Sequence, residues 1–192
     1  TYENSSIAIG DSASRNDSTG LSNISIGQDC LRGKDDSIGY TNCDFNVAIG
    51  YQCAKNVHDT AGCDSNVIMG YQAALGNSSS GLNIFNSVII GKEAGKDLFD
   101  GDANVAIGYR ALKVGNRASF NVCIGVEAGE SISTRSSGSN VCIGYNSGKN
   151  IVDGGSNVYI GSLSGRDSTT GFRNVGIGNN SLFRITEGNT NV

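Results

Sequence analysis

Apolar and polar residues alternate in a short unit that recurs along the whole chain. A Val or Ile, one further residue and then Ile-Gly or Met-Gly recur ten times, with the glycines at Gly10, Gly27, Gly50, Gly70, Gly91, Gly108, Gly125, Gly144, Gly161 and Gly178. The intervals between them are 17, 23, 20, 21, 17, 17, 19, 17 and 17 residues. A Val or Ile stands two places before each Ile or Met, which is the spacing of side chains on one face of a strand. The pattern predicts ten short β-strands, each followed by a glycine bend.

Two further positions of the repeat are restricted in residue type. Asn directly precedes eight of the ten strands, with Ser6 and Ser87 before the other two, and a small residue (Ala, Cys or Ser) lies three places after each glycine. A unit of 17 residues cannot bury its own Val and Ile, so successive units must stack like rungs. We therefore predict one all-β domain over residues 1–192, a parallel β-solenoid (β-roll) of about ten repeats. The stacked Asn side chains are expected to form an amide ladder.

The middle residue of each strand is uncharged. It is Ala8, Ser25, Ala48, Ile68, Ile89, Ala106, Cys123, Cys142, Tyr159 or Gly176. If Val and Ile fill the coil, this residue faces outward, where a solvated strand would be polar. We therefore predict a homo-oligomer, specifically a trimer, whose contact face includes Ala8, Ala48, Ile68, Ile89, Ala106 and Tyr159. The alternative is that these residues line an ordinary solenoid interior.

Four copies of the repeat resemble known fibre sequences. They are NVAIGYQ (46–52), NVAIGYRAL (104–112), NVCIGYNSG (140–148) and NVYIGSLSG (157–165). These strings resemble the head repeats of YadA-type trimeric autotransporter adhesins, and more closely the NTAIGYQAL-type repeats of phage and large-virus tail fibres. The autotransporter repeat is shorter and more uniform than 17–23 residues, which favours the tail-fibre relatives. The resemblance implies a trimeric parallel β-roll on a cell or virion surface.

We accordingly expect an extracellular segment of a longer viral or bacterial surface fibre that mediates attachment to a host cell or surface. The alternative is a self-assembling extracellular filament or matrix protein. The expected partners are further copies of the chain and a cell-surface receptor or glycan. A net charge of −4 gives no reason to expect nucleic acid, and no apolar run is long enough for membrane insertion by this segment.

Nothing in the sequence indicates catalysis. His58 is the only histidine and has no nucleophile motif beside it, and no CxxC spacing occurs. We therefore predict a protein that is not an enzyme and uses no metal and no cofactor.

Six cysteines fall at equivalent places of consecutive repeats. The possible disulfide pairs are Cys30 with Cys53, Cys43 with Cys63, and Cys123 with Cys142. Stacked coils would bring each pair of Cα atoms to about 5 Å, within the range of a disulfide. The alternative is that Cys acts as a small buried apolar residue, and it applies best to Cys123 and Cys142. Cys43 with Cys63 is the favoured disulfide.

The longer repeats carry insertions, at 31–44, 54–64 and 75–86. Loops that project from a rigid repeat are common recognition sites, so Lys55, His58 and Asp59 are predicted to face a receptor. Tyr51, Tyr71, Tyr109 and Tyr145 each follow a bend glycine. This row either stacks on sugars or packs along the edge of the rod, and packing is favoured.

Overall fold

The computed structural model describes residues 5–15, 20–34, 43–57, 62–77, 81–133 and 138–192. This part of the chain contains twelve short strands and no helix, and hence no helix suited to crossing a membrane. The strands are β1 Ile7–Ile9, β2 Ile24–Ile26, β3 Arg32–Gly33, β4 Val47–Ile49, β5 Lys55–Val57, β6 Val67–Met69, β7 Val88–Ile90, β8 Val105–Ile107, β9 Val122–Ile124, β10 Val141–Ile143, β11 Val158–Ile160 and β12 Val175–Ile177.

Ten of these strands form one parallel sheet in chain order. The register follows the repeat, so that Val105 pairs with Val122 and Val122 pairs with Val141. β3 and β5, which the sequence pattern did not predict, form a second parallel sheet of two strands within the longer repeats. The parallel β-solenoid predicted from the repeat is confirmed.

The side chains of the ten-stranded sheet point opposite to the predicted directions. The middle residue of each strand points into the coil, and Ala48, Ile68, Ile89, Ala106 and Tyr159 have no exposed surface within a single chain. Only Ala8, in the first strand, is exposed. The placement of these residues on a face between chains is therefore wrong, and the alternative of a solenoid interior is correct for the five buried ones.

A thin interior explains this orientation. The middle residues meet the small residues that follow each glycine by three places, and the two sides contact each other directly. Cys30 Sγ donates a hydrogen bond to the Ala48 carbonyl at 3.1 Å, and Ser147 Oγ donates one to the Tyr159 carbonyl at 2.8 Å. Most middle positions are therefore occupied by small residues, while the bulkier Val and Ile pairs lie outside.

Three turn positions in each coil have positive φ although most are not glycine. The first position directly precedes the ladder residue, as Phe120 does (63°). The other two follow the bend glycine by two places, as Glu127 does (55°), and by four places, as Leu112 does (51°). Their N–H groups donate to carbonyls of adjacent coils, at 2.8 to 3.0 Å for these three residues. Because an unpaired buried N–H is costly, these bonds between coils offset the strain of the left-handed conformation.

Candidate functional site

The outer face of the ten-stranded sheet is the most distinctive surface of the described chain. We call it the outer strip, formed by the first and third residue of each of the ten strands. All twenty are apolar: Ile7, Ile9, Ile24, Ile26, Val47, Ile49, Val67, Met69, Val88, Ile90, Val105, Ile107, Val122, Ile124, Val141, Ile143, Val158, Ile160, Val175 and Ile177. Most are half-buried, and exposure reaches 58% at Ile9 and 69% at Ile177.

The outer strip is long, narrow and periodic. In-register pairing puts the side chains in two parallel rows, and ten coils at about 4.8 Å spacing make the strip about 45 Å long. Parallel sheets are normally covered on both faces. Here the inner face is covered by the chain itself, and the outer face presents apolar rows to solvent. The repeat pattern does not predict this surface, because the same residues were expected in the interior of the coil.

A buried Asn ladder fixes the spacing of the strip. The backbone N–H and the Nδ2 of Asn121 both donate to Asn104 Oδ1, at 3.0 and 3.2 Å. Asn140 makes the same two bonds to Asn121, at 3.1 and 3.2 Å. Where Ser87 replaces Asn, its Oγ accepts from the N–H of Asn104 at 3.1 Å, so the connection continues with fewer bonds. The predicted ladder is confirmed.

The tyrosine row lies beside this sheet and packs on its own neighbours. The rings of Tyr51 and Tyr71 stack with centroids 5.3 Å apart, and Lys92 Nζ lies 5.7 Å from the centroid of Tyr71. Lys92 and Arg110 lie 5.9 and 4.9 Å from the ring centroid of Tyr109. Because Tyr51, Tyr71 and Tyr109 each contact a ring or a cation of the same protein, their arrangement favours packing over sugar stacking.

Ion pairs connect the coils on the far side of the solenoid. Glu93 accepts from Arg110 Nε at 2.8 Å, and this hydrogen bond lowers the pKa of Glu93. Lys149 Nζ lies 2.6 Å from Glu127 and 3.3 Å from Glu130, and these carboxylates raise the pKa of Lys149. These ion pairs join neighbouring coils. Their charged side chains therefore already have partners within the chain.

Lys55 lies in a strand rather than in a loop, and it is paired with an acidic side chain. It belongs to β5, and its Nζ lies 3.0 Å from the carboxylate of Asp29. The guanidinium of Arg32 lies 2.7 Å from the same carboxylate. Burial alone would raise the pKa of Asp29, but the hydrogen bonds from Lys55 and Arg32 outweigh it and hold that pKa below its usual value. The assignment of Lys55 to a receptor-facing loop is therefore corrected. The other two residues, His58 and Asp59, lie outside the described residues.

All six cysteines are buried, in three different settings. Cys30 and Cys53 each donate from Sγ to a backbone carbonyl, of Ala48 and Ile68 respectively, at 3.1 Å. Cys123 and Cys142 are paired middle residues of β9 and β10. A hydrogen bond with Cys142 and burial raise the pKa of the Cys123 thiol. Cys43 and Cys63 face each other, with Sγ atoms 3.2 Å apart.

Within the described ranges, no group of three or more His, Cys, Asp or Glu side chains is arranged to hold a metal ion. No protein-family model, no curated protein and no solved structure matches this chain.

Proposed function

We propose that this chain is a structural and adhesive segment of an extracellular surface fibre, viral or bacterial, in which three copies associate through their outer strips. The outer strip is the observation that carries the proposal. Twenty apolar residues in two continuous rows are costly to expose to water, and covering them stabilises the assembly by roughly 25 cal/mol for each Å² removed from solvent.

A second copy of the same chain is the partner that fits this strip best. Side-chain rows spaced at the rise of one coil interdigitate along their full length only with rows of the same spacing. Another copy of the sheet provides that spacing, whereas a partner of another fold matches it at one or two coils. Rotational symmetry about the rod lets three identical strips meet at one axis and leaves no strip uncovered. The family resemblance independently implies three chains.

In this proposal the rod is a rigid, non-enzymatic spacer, and its insertions make the contact with a receptor or glycan. The Asn ladder and the ion pairs between coils make the rod stiff, and the apolar axis keeps the insertions on the outside of the trimer. The remaining receptor-facing candidates are His58 and Asp59, which follow the structural strand β5.

Sedimentation of wild type and of two double variants tests the assembly. Wild type is expected at about three times the chain mass of 19.8 kDa. Val105→Lys with Val122→Lys puts two charges into the outer strip and is expected to give a monomer with unchanged β-sheet circular dichroism. Val114→Lys with Val152→Lys makes the same change at exposed valines outside the strip (37% and 44% exposed) and should leave the trimer intact.

A monomeric wild type would overturn the proposed assembly. A series of open-ended species that grows with concentration would instead select the self-assembling filament. Loss of the trimer in the Val114 and Val152 control as well would show that added charge, rather than the strip, controls association.

Binding to an array of neutral, sialylated and sulfated glycans tests the adhesive part. His58→Ala with Asp59→Ala is expected to lower glycan binding while the sedimenting mass stays that of the trimer. Glycan binding equal to that of wild type would reject these two residues as the contact.

A further inference from the structure

Cys43 and Cys63 occupy equivalent positions on neighbouring coils. Each lies three residues before the ladder residue of its coil, Asn46 or Asn66, and each is almost completely buried, at 1% and 0% exposure. Their Sγ atoms are 3.2 Å apart. The two sulfur atoms are therefore already in contact and face each other.

The backbone around this pair is held on both coils. Asn46 Nδ2 donates to the carbonyl of Cys63 at 2.7 Å. The N–H of Asp44 donates to Asp64 Oδ1 at 2.8 Å, and the N–H of Ser65 donates to the carbonyl of Asp44 at 2.9 Å. Because hydrogen bonds on either side fix the distance between the two segments, the facing sulfurs are a property of the fold rather than of two loose side chains.

The side chains of the other two cysteine pairs also lie within hydrogen-bonding reach of each other, but they make additional contacts that a disulfide would break. The thiols of Cys30 and Cys53 are used as donors to backbone carbonyls. Cys123 and Cys142 are in-register neighbours whose sulfurs pack against Gly129 and Gly148 in the fully filled interior. A disulfide there would require both side chains to leave these contacts, and neighbouring parallel strands offer poor disulfide torsions.

We propose that Cys43 and Cys63 form a reversible disulfide between coils that clasps the bases of the first two insertions. The residues just before Cys43 belong to the insertion at 31–44, and those just before Cys63 belong to the insertion at 54–64. In an oxidising extracellular setting the clasp is closed, and in a reducing cell interior it is open. The clasp depends only on one chain, so it holds whether or not the chain forms a trimer.

The bond forms by thiol–disulfide exchange with a small disulfide such as oxidised glutathione. One cysteine thiolate attacks a glutathione sulfur and releases one glutathione, giving a mixed disulfide. The second cysteine thiolate attacks the protein sulfur and releases the second glutathione. Two electrons pass from the cysteines to the glutathione disulfide, and the two thiol protons end on the released glutathiones. Because both thiols are buried, closing and opening of the bond both take place during folding or when these coils open locally.

Peptide mapping of the refolded chain tests the proposal. The chain is unfolded under reducing conditions, refolded with reduced and oxidised glutathione, alkylated in denaturant and digested with trypsin without reductant. The tryptic peptides separate the pairs: 35–55 carries Cys43 and Cys53, 56–92 carries Cys63, 16–32 carries Cys30, and 118–135 and 136–149 carry Cys123 and Cys142. We expect 35–55 linked to 56–92, with 16–32, 118–135 and 136–149 recovered alkylated and unlinked.

Two variants identify the cysteine within peptide 35–55. Cys53→Ser places serine where other coils already have it, as at Ser147 and Ser164, and the link should persist. Cys43→Ala places alanine where Ala118 stands in another coil, and the link should disappear. Recovery of 35–55 and 56–92 as alkylated, unlinked peptides from refolded wild type would overturn the proposal, as would a link that survives Cys43→Ala.

Discussion

Two regions of the solenoid share the ten-stranded sheet but differ on the side opposite to it. The first region lies between Gly27 and Gly91, and the second lies between Gly91 and Gly178. The first region has repeats of 20 to 23 residues and adds the β3–β5 sheet, the Asp29 ion pairs and the facing cysteines. The second region has repeats of 17 or 19 residues and fills the far side with Leu98, Ile132 and Ile151. Insertions are therefore accommodated away from the sheet.

The difference shows which side of the coil specifies the fold. On the sheet side, the Asn ladder and the bend glycines each require the next coil at one distance and in one register. On the side opposite the ten-stranded sheet, a turn needs only its hydrogen bonds to adjacent coils. The additional residues of the longer repeats make such bonds by forming the β3–β5 sheet. The outer strip is consequently continuous through both regions.

Replacing a bend glycine should have the largest effect in either region. A Cβ on Gly125 (φ 134°) would lie 2.5 Å from the carbonyl oxygen of Gly144. We expect Gly125→Ala to destabilise the fold by about 4 kcal/mol, combining strain and overpacking, and Gly50→Ala to act similarly. Gly178→Ala is the control, because its positive φ is similar but no atom lies within 4 Å. Urea unfolding measures all three, and equal effects at Gly125 and Gly178 would argue against the close approach between coils.

Breaking the Asn ladder should have the next largest effect. Asn121→Ala removes the acceptor of both the N–H and the Nδ2 of Asn140 in the buried interior. We expect a loss of about 3 kcal/mol, since each unsatisfied buried donor costs about 1–3 kcal/mol. Asn121→Ser reproduces the arrangement at Ser87 and should cost about half as much. A serine variant as unstable as the alanine variant would contradict the role given to the Ser87 hydroxyl.

Closing the Cys43–Cys63 clasp should stabilise the longer coils only. The bond closes a loop of about 20 residues, for which the expected gain is about 3 kcal/mol. Hydrogen exchange with and without reductant should show greater protection near Asp44 and Asp64 in the oxidised chain, and unchanged protection from β8 to β11. In the Cys43→Ala variant the reductant should make no difference, and protection spread evenly along the rod would contradict a local clasp.

Neutralising Asp29 should have the smallest effect and should depend on pH. The folded pKa of Asp29 lies below the ordinary value of an aspartate, so its stabilisation is complete above that ordinary value and is lost as the pH falls through the folded pKa. We expect Asp29→Asn to cost less than about 1 kcal/mol at pH 7, as is usual for an ion pair near the surface, and less at an acidic pH below the folded pKa. Urea midpoints at the two pH values measure this difference. An undiminished cost at the lower pH would show that packing, rather than charge, accounts for it.

The local sequence predicted the repeat, the strand positions, the Asn ladder and the parallel register. Each of these follows from a residue whose requirement is local or repeats at one period: a glycine bend, a β-branched pair, or an amide that bonds to its own copy. β3 and β5 were not predicted, because they lie in insertions that do not follow the repeat pattern. Lys55 was assigned to a loop for the same reason. The left-handed conformation of the turn residues was not predicted either, because Phe, Glu and Leu have no intrinsic preference for positive φ.

Alternation along each strand determined that Val and Ile share one face and that the middle residue occupies the other. It did not determine which face is inside, because the same alternation results whichever face of the strand points into the coil. The tertiary structure decided this through the thinness of the coil, whose two walls meet where Cys30 contacts Ala48 and Ser147 contacts Tyr159. Small side chains therefore turn inward, and the apolar pairs form the outer strip available to other chains.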